Sequence, residues 1–131
     1  MRQIALALAA LALAGSAQAQ SSYTCSVSEL QFEGTSDQSW IDGNMAKIFT
    51  IEPMGDRVRL STRSPRFDPT QTELILVSDQ GMSAVAATMS VTGMDVLAYP
   101  ASAARREGPF EATWSVINES FVNTWVLACQ G

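Results

Sequence analysis

Two cysteines constrain this chain more than any other feature. Cys25 and Cys129 stand near opposite ends of the 131-residue sequence, with no third thiol between them. An even pair in an exported protein reads as a disulfide, and this one would lay the first and last ordered segments side by side. Closing a loop of nearly the whole domain contributes roughly 4–5 kcal/mol in the chain-entropy account. A two-cysteine metal or redox centre fits poorly, because the thiols are far apart in sequence and the chain contains no histidine. No metal site and no cofactor are expected.

The export premise comes from residues 1–19. Met1-Arg2-Gln3 is a short positive start, and Ile4 to Ala14 is an unbroken apolar run. Ala17 and Ala19 then occupy the small-residue positions of a cleavage site, which completes the pattern of a secretory signal peptide. Cleavage is expected after Ala19, with Ala17 as the other option, leaving residues 20–131 as one domain. The apolar run is about half of what a spanning helix needs, so no membrane span is expected once the leader is gone. An alanine-rich leader suits a bacterial periplasm or the space outside the cell. The formal net charge of −5 becomes one unit more negative when Arg2 is removed. That balance argues against nucleic acid and anionic membrane as main partners.

Past the leader, period-two alternation is broken by turn residues at short intervals, the pattern of an antiparallel sandwich or barrel. In the hairpin from Met45 to Ser64, a turn over Pro53-Met54-Gly55-Asp56 sets Ile51 opposite Val58, Phe49 opposite Leu60 and Glu52 opposite Arg57. In the last hairpin, a turn around Asn118-Glu119 sets Val116 opposite Phe121 and Ala112 opposite Trp125. Its buried face would carry Phe110, Trp114, Phe121, Trp125, Leu127 and Cys129, level with Tyr23, Cys25 and Val27 of the first strand. Between them, Val85, Ala87, Met89 and Val91 alternate with Ala84, Ala86, Thr88 and Ser90, and Thr92-Gly93 can turn the chain. A short helix over Ser83 to Met89 also fits the spacing, but the flanking turn signals favour a strand.

About eight strands in meander order result. An even number of up-and-down strands brings the first and last together antiparallel, where a Cys25–Cys129 bridge would staple the seam. The expected fold is therefore an all-β, closed or nearly closed barrel, with a β-sandwich as the alternative. Eight strands leave a centre that is either filled or holds one small ligand. Small residues at Ala87, Ala98 and Ala112, with Met82, Met89 and Met94 as an adaptable lining, keep the second option open.

Catalytic chemistry is thin. The absence of histidine removes the commonest general base and every Ser-His or Cys-His arrangement. No phosphate loop, nucleophile elbow or calcium loop occurs. Glu33, Asp37 and Asp42 share one polar stretch, and an acid pair from Glu33 and Asp42 is the sole hydrolase option. Asp42-Gly43-Asn44 reads as a turn, and Lys47, the single lysine, gives no hint of a lowered pKa. The chain is not expected to be an enzyme.

Two features rise above this background. Arg57, Arg59 and Arg63 share the outward face of one strand, and Arg66 follows in the loop. Arginine forks suit a protein partner or an anionic surface, whereas a plain solvated face would pair them with Glu52. Arg105-Arg106 would either extend this patch or mark an exposed tip. The second feature is the connection from Glu33 to Asn44 carrying Trp40, which would either present the indole to a partner or fold it back to plug one barrel end. The expectation is a monomeric binding module for a protein partner, using Arg57, Arg59, Arg63, Arg66 and Trp40. The alternative is a carrier of a small apolar ligand in a lipocalin-like barrel.

Overall fold

Antiparallel pairing between chain neighbours runs round the molecule and closes on itself. The computed structural model describes residues 22–34, 36–102, 104 and 108–131; the leader at 1–19 and Arg105-Arg106 lie outside them. The strands are β1 (Tyr23–Phe32), β2 (Ile48–Met54), β3 (Arg57–Arg63), β4 (Thr70–Gln80), β5 (Ser83–Ser90), β6 (Gly93–Pro100), β7 (Phe110–Asn118) and β8 (Val122–Gln130). They form a closed barrel in chain order, with β8 paired to β1. The barrel expected from the alternation is present, and the sandwich alternative is not. Residues 83–90 are strand, not helix. Cys25 and Cys129 are bonded and face each other directly across the closing pair. Among the described residues no helix is long and apolar enough to cross a membrane.

Inward positions fill the centre. Phe49, Ile51, Val58, Leu60, Leu74, Leu97 and Leu127 are at most 1% exposed, and Trp114 and Trp125 keep only 6%. Residual exposure this low leaves no water-sized void beside these side chains, so the middle of the barrel is packed. Ala84 stands opposite Tyr99 and Ala86 opposite Leu97, all facing inward. Small residues opposite large ones let the two strands share one layer. This corrects the expectation for β5 and β6: Ala87 and Ala98 point outward, as does Met89 at 79% exposed, and Met82 at the β4–β5 turn is equally exposed. Of the small residues expected inside, Ala112 alone keeps its place.

The Met45–Ser64 hairpin and the last hairpin have the expected faces but a register two residues away. Ile51 pairs with Leu60 and Glu52 with Arg59, because the turn is the two-residue Gly55-Asp56. Gly55, at φ +72°, takes the first central position of a primed turn, which suits the strand twist better than the four-residue turn inferred from Pro53. In the last hairpin Trp114 pairs with Trp125 and Ala112 with Leu127. The loop is held by Asn118, whose Oδ1 accepts from the backbone N–H of Ser120 and Phe121. Phe121 consequently sits in that loop, 39% exposed and not in the core. Bulges after Val27 and after Leu76 move the inward parity, so that Leu30 and Phe32 face inward late in β1.

The Glu33–Asn44 connection is not a loop throughout. Gln38–Met45 forms helix α1, and Asp42-Gly43-Asn44 lies in its last turns. Asp37 is the N-cap, its carboxylate accepting from the Trp40 N–H at 2.7 Å and the Ser39 hydroxyl at 2.6 Å. Tertiary contacts explain why a turn-forming tripeptide stays helical. Gly43 is buried so closely against Arg66 and Phe67 that an added Cβ would come within 2.8 Å of the Phe67 ring. Asn44, 2% exposed, donates from Nδ2 to the Trp40 carbonyl.

Candidate functional site: an outer sheet face and a polar mouth

The arginine row lies where alternation put it. Val58 and Leu60 are fully buried, so Arg57, Arg59 and Arg63 face out from β3. Glu52 on β2 and Glu73 on β4 flank Arg59, whose Nη1 lies 3.3 Å from Glu52 Oε2. This pair is about one-third exposed, where such bridges add up to about 1 kcal/mol. Arg57 stands between Met54 and Ile75, and Arg63 opposite Ile48. Arg66 leaves the row: its Nη2 donates to Ser39 Oγ on α1 at 2.6 Å. The four arginines are thus not one patch. Arg59 is paired with Glu52, whereas Arg57 and Arg63 make no ion pair among the described residues.

What the row borders was missed. Ile75 on β4 pairs with Ala87 on β5, Ala87 with Val96 on β6, and Met89 with Met94, all on the outer face. The stripe continues from Met94 to Ile117 on β7 and Val122 on β8. Ile75 is 56% exposed and Val77, at the bulge, 68%. An antiparallel sheet ordinarily turns one face to water; here β5 and β6 carry apolar residues on the outward face as well. The signal was present in the sequence, since Val85, Ala87 and Met89 and the alternating Ala84 and Ala86 are all apolar, but assigning Ala87 and Met89 to the interior concealed it.

The second arrangement is the α1 end of the barrel. One inward step below the packed layer, Leu60, Leu74, Ala86, Leu97, Trp114 and Trp125 give way to Thr62, Thr72, Thr88, Asp95, Val116 and Asn123. These are half-buried, so solvent enters a mouth with largely polar walls. Trp40 lies on its rim, half-buried and edge-to-face with Phe32 at 5.3 Å. Lys47 extends into the mouth, with its Nζ 5.0 Å from the Trp125 ring centre and 5.1 Å from that of Phe67. Burial lowers the Lys47 pKa, contrary to the sequence expectation, and raises that of Asp95. Trp125 Nε1 is buried without an acceptor among the described residues.

The remaining candidates are dispersed. Asp37 is committed to capping α1; the Ser39 hydroxyl, then the Trp40 N–H, lower its pKa. Asp42 accepts from Gln38, and Glu33 is exposed on the linker. At the opposite end, β6–β7 pairing runs no further than Ala98–Thr113, leaving a cavity of about 210 Å³ lined by residues including Tyr99, Pro100, Glu111 and Ala112. No protein-family description matches the chain, and neither a curated protein nor a solved structure does.

Proposed function

We propose that the protein is an exported, non-catalytic binding module that recognises a protein partner through the outer face of β3 to β6. One observation carries this reading. The outward positions Val85, Ala87 and Met89 on β5 and Met94, Val96 and Ala98 on β6 are all apolar, and Arg57 adjoins this surface through Ile75. Contiguous exposed apolar surface rimmed by charge is characteristic of protein contact sites. The complementary partner presents apolar side chains flanked by carboxylates. Arg57 and Arg63 steer it, and the sheet supplies the desolvated centre. The leader pattern at 1–19 and the Cys25–Cys129 disulfide support an oxidising compartment, the periplasm or the exterior, with the module acting as a monomer. A carrier with its ligand at the barrel centre draws no support from a centre filled by side chains, and a Glu33–Asp42 hydrolase none from carboxylates engaged elsewhere or left exposed.

The test is capture of the partner by immobilised protein from its own exported fraction. Changing Arg57, Arg59 and Arg63 together to glutamate should weaken capture, and the wild-type interaction should weaken with salt. Met89→Asp should weaken it without that salt dependence. Capture that survives the triple change at low salt overturns the reading.

A further inference from the structure

The barrel wall opens between β6 and β7, and Pro100 is the reason. The β5–β6 turn is the two-residue Val91-Thr92, so Ser90–Gly93 is a hydrogen-bonded pair and every second pair after it is another. That parity turns the backbone of Tyr99 toward β5 and that of Ala98 and Pro100 toward β7. The Ala101 N–H follows it, donating to the Met82 carbonyl at 3.1 Å. The next rung beyond Ala98–Thr113 would join Pro100 to Glu111, but proline has no N–H to give to the Glu111 carbonyl. Pairing stops there, although β6 runs to Pro100 and β7 starts at Phe110. The two strands part around the cavity of about 210 Å³.

Ser83, Ala98, Pro100, Glu111 and Thr113 all line this cleft from the outward face of the sheet. Glu111 makes no ion pair, and the Ser83 and Thr113 hydroxyls make no hydrogen bond, among the described residues. No basic side chain among the described residues lines the cleft. One carboxylate, two hydroxyls and a main-chain carbonyl without its ladder donor therefore share one cavity, an excess of acceptors over donors. Met82, Ala98 and Pro100 add apolar surface beside them. We propose that this cleft binds a primary alkylammonium group. Its three N–H donors meet the acceptors, its charge meets the Glu111 carboxylate, and its alkyl chain lies on Met82, Ala98 and Pro100. Such a group comes either from a free small amine or from a lysine side chain of a docked protein, since Ala98 also belongs to the β5–β6 face.

The experiment follows the Glu111 and Thr113 amide signals by nuclear magnetic resonance during titration with n-butylammonium and, separately, with Nα-acetyl-lysine amide. Saturable shifts at both amides are expected. Tighter binding of the first assigns the site to a free amine, and tighter binding of the second assigns it to a lysine side chain. Butyltrimethylammonium carries the same charge without N–H donors and should give no saturable shift. Glu111→Gln should weaken butylammonium about two- to fivefold, the worth of an exposed charge pair. Pro100→Ala returns the missing donor, so it should extend the ladder to Glu111 and abolish binding. The proposal is overturned by the absence of a saturable shift with either amine or by equal binding of butyltrimethylammonium. An affinity unchanged in Glu111→Gln, or binding that survives in Pro100→Ala, overturns it as well. The probes need no protein partner, so their failure leaves the protein-partner reading standing.

Discussion

Lys47 carries the most direct electrostatic consequence at the scale of single residues. Burial depresses its folded pKa below the ordinary value of 10.5, so the folded state binds fewer protons than the unfolded state between the two values. Its contribution is present above the unfolded pKa and is lost as pH falls through the folded one. The stability of the wild type relative to Lys47→Met should therefore rise with pH across the alkaline range, as read by urea titrations of both proteins. A flat or falling difference would mean that the aromatic faces hold the charged form more strongly than burial opposes it. Asp37 works in the opposite range. Its pKa is lowered first by the Ser39 hydroxyl and then by the Trp40 N–H, below an ordinary 3.8. That contribution is present above the unfolded pKa and lost as pH falls through the folded one. Asp37→Ala should lower the melting temperature at neutral pH, and the difference should vanish in strong acid.

Elements show where the pattern in the sequence stops being informative. Alternation identifies the faces of β2, β3, β7 and β8 correctly, because a register shift of two residues leaves every side chain on its face. For the same reason it cannot distinguish Glu52–Arg57 from the observed Glu52–Arg59; that choice belongs to the turn, and Gly55 makes it. Bulges are less legible still, since Val77 in β4 is one more apolar residue in an apolar run. On β5 both alternating sets carry apolar residues, and the face is decided by volume, with Ala84 and Ala86 accommodating Tyr99 and Leu97. Helix α1 carries its N-cap signal in Asp37, but Asp42-Gly43-Asn44 carries equally good turn chemistry, and only packing on Phe67 decides between them. The polar mouth was invisible because it requires knowing which inward positions lie at the same end. Close pairing of β6 with β7 gives a test. A Cβ on Gly93 would stand 2.1 Å from the Ile117 carbonyl oxygen, so Gly93→Ala should destabilise by about 1–3 kcal/mol, measured by chemical denaturation.

For the whole molecule, one disulfide and one packed layer do different work. The layer from Phe49 to Leu127 defines the barrel, and the Cys25–Cys129 bond restricts the unfolded chain across nearly its full described length. Replacing both cysteines with serine should cost about 2–5 kcal/mol while leaving the eight-strand pairing intact by hydrogen exchange. Loss of the pairing itself would make the bond part of the architecture. Leu97→Ala, which opens the layer, should cost about 2–5 kcal/mol with the bond still closed. The barrel so stabilised presents two unlike surfaces: a half-open polar mouth beside α1, and an apolar outer sheet edged by arginine. The outer sheet is the proposed protein contact site. It is tested most directly by placing a photo-crosslinking residue at Ala87, in the middle of the β5–β6 face, and at Ser26, on the polar outer face of β1. Irradiation in the exported fraction should give a discrete protein adduct from Ala87 that is lost when Arg57, Arg59 and Arg63 are reversed in charge, and none from Ser26. No adduct from Ala87, or the same adduct from both positions, would contradict it.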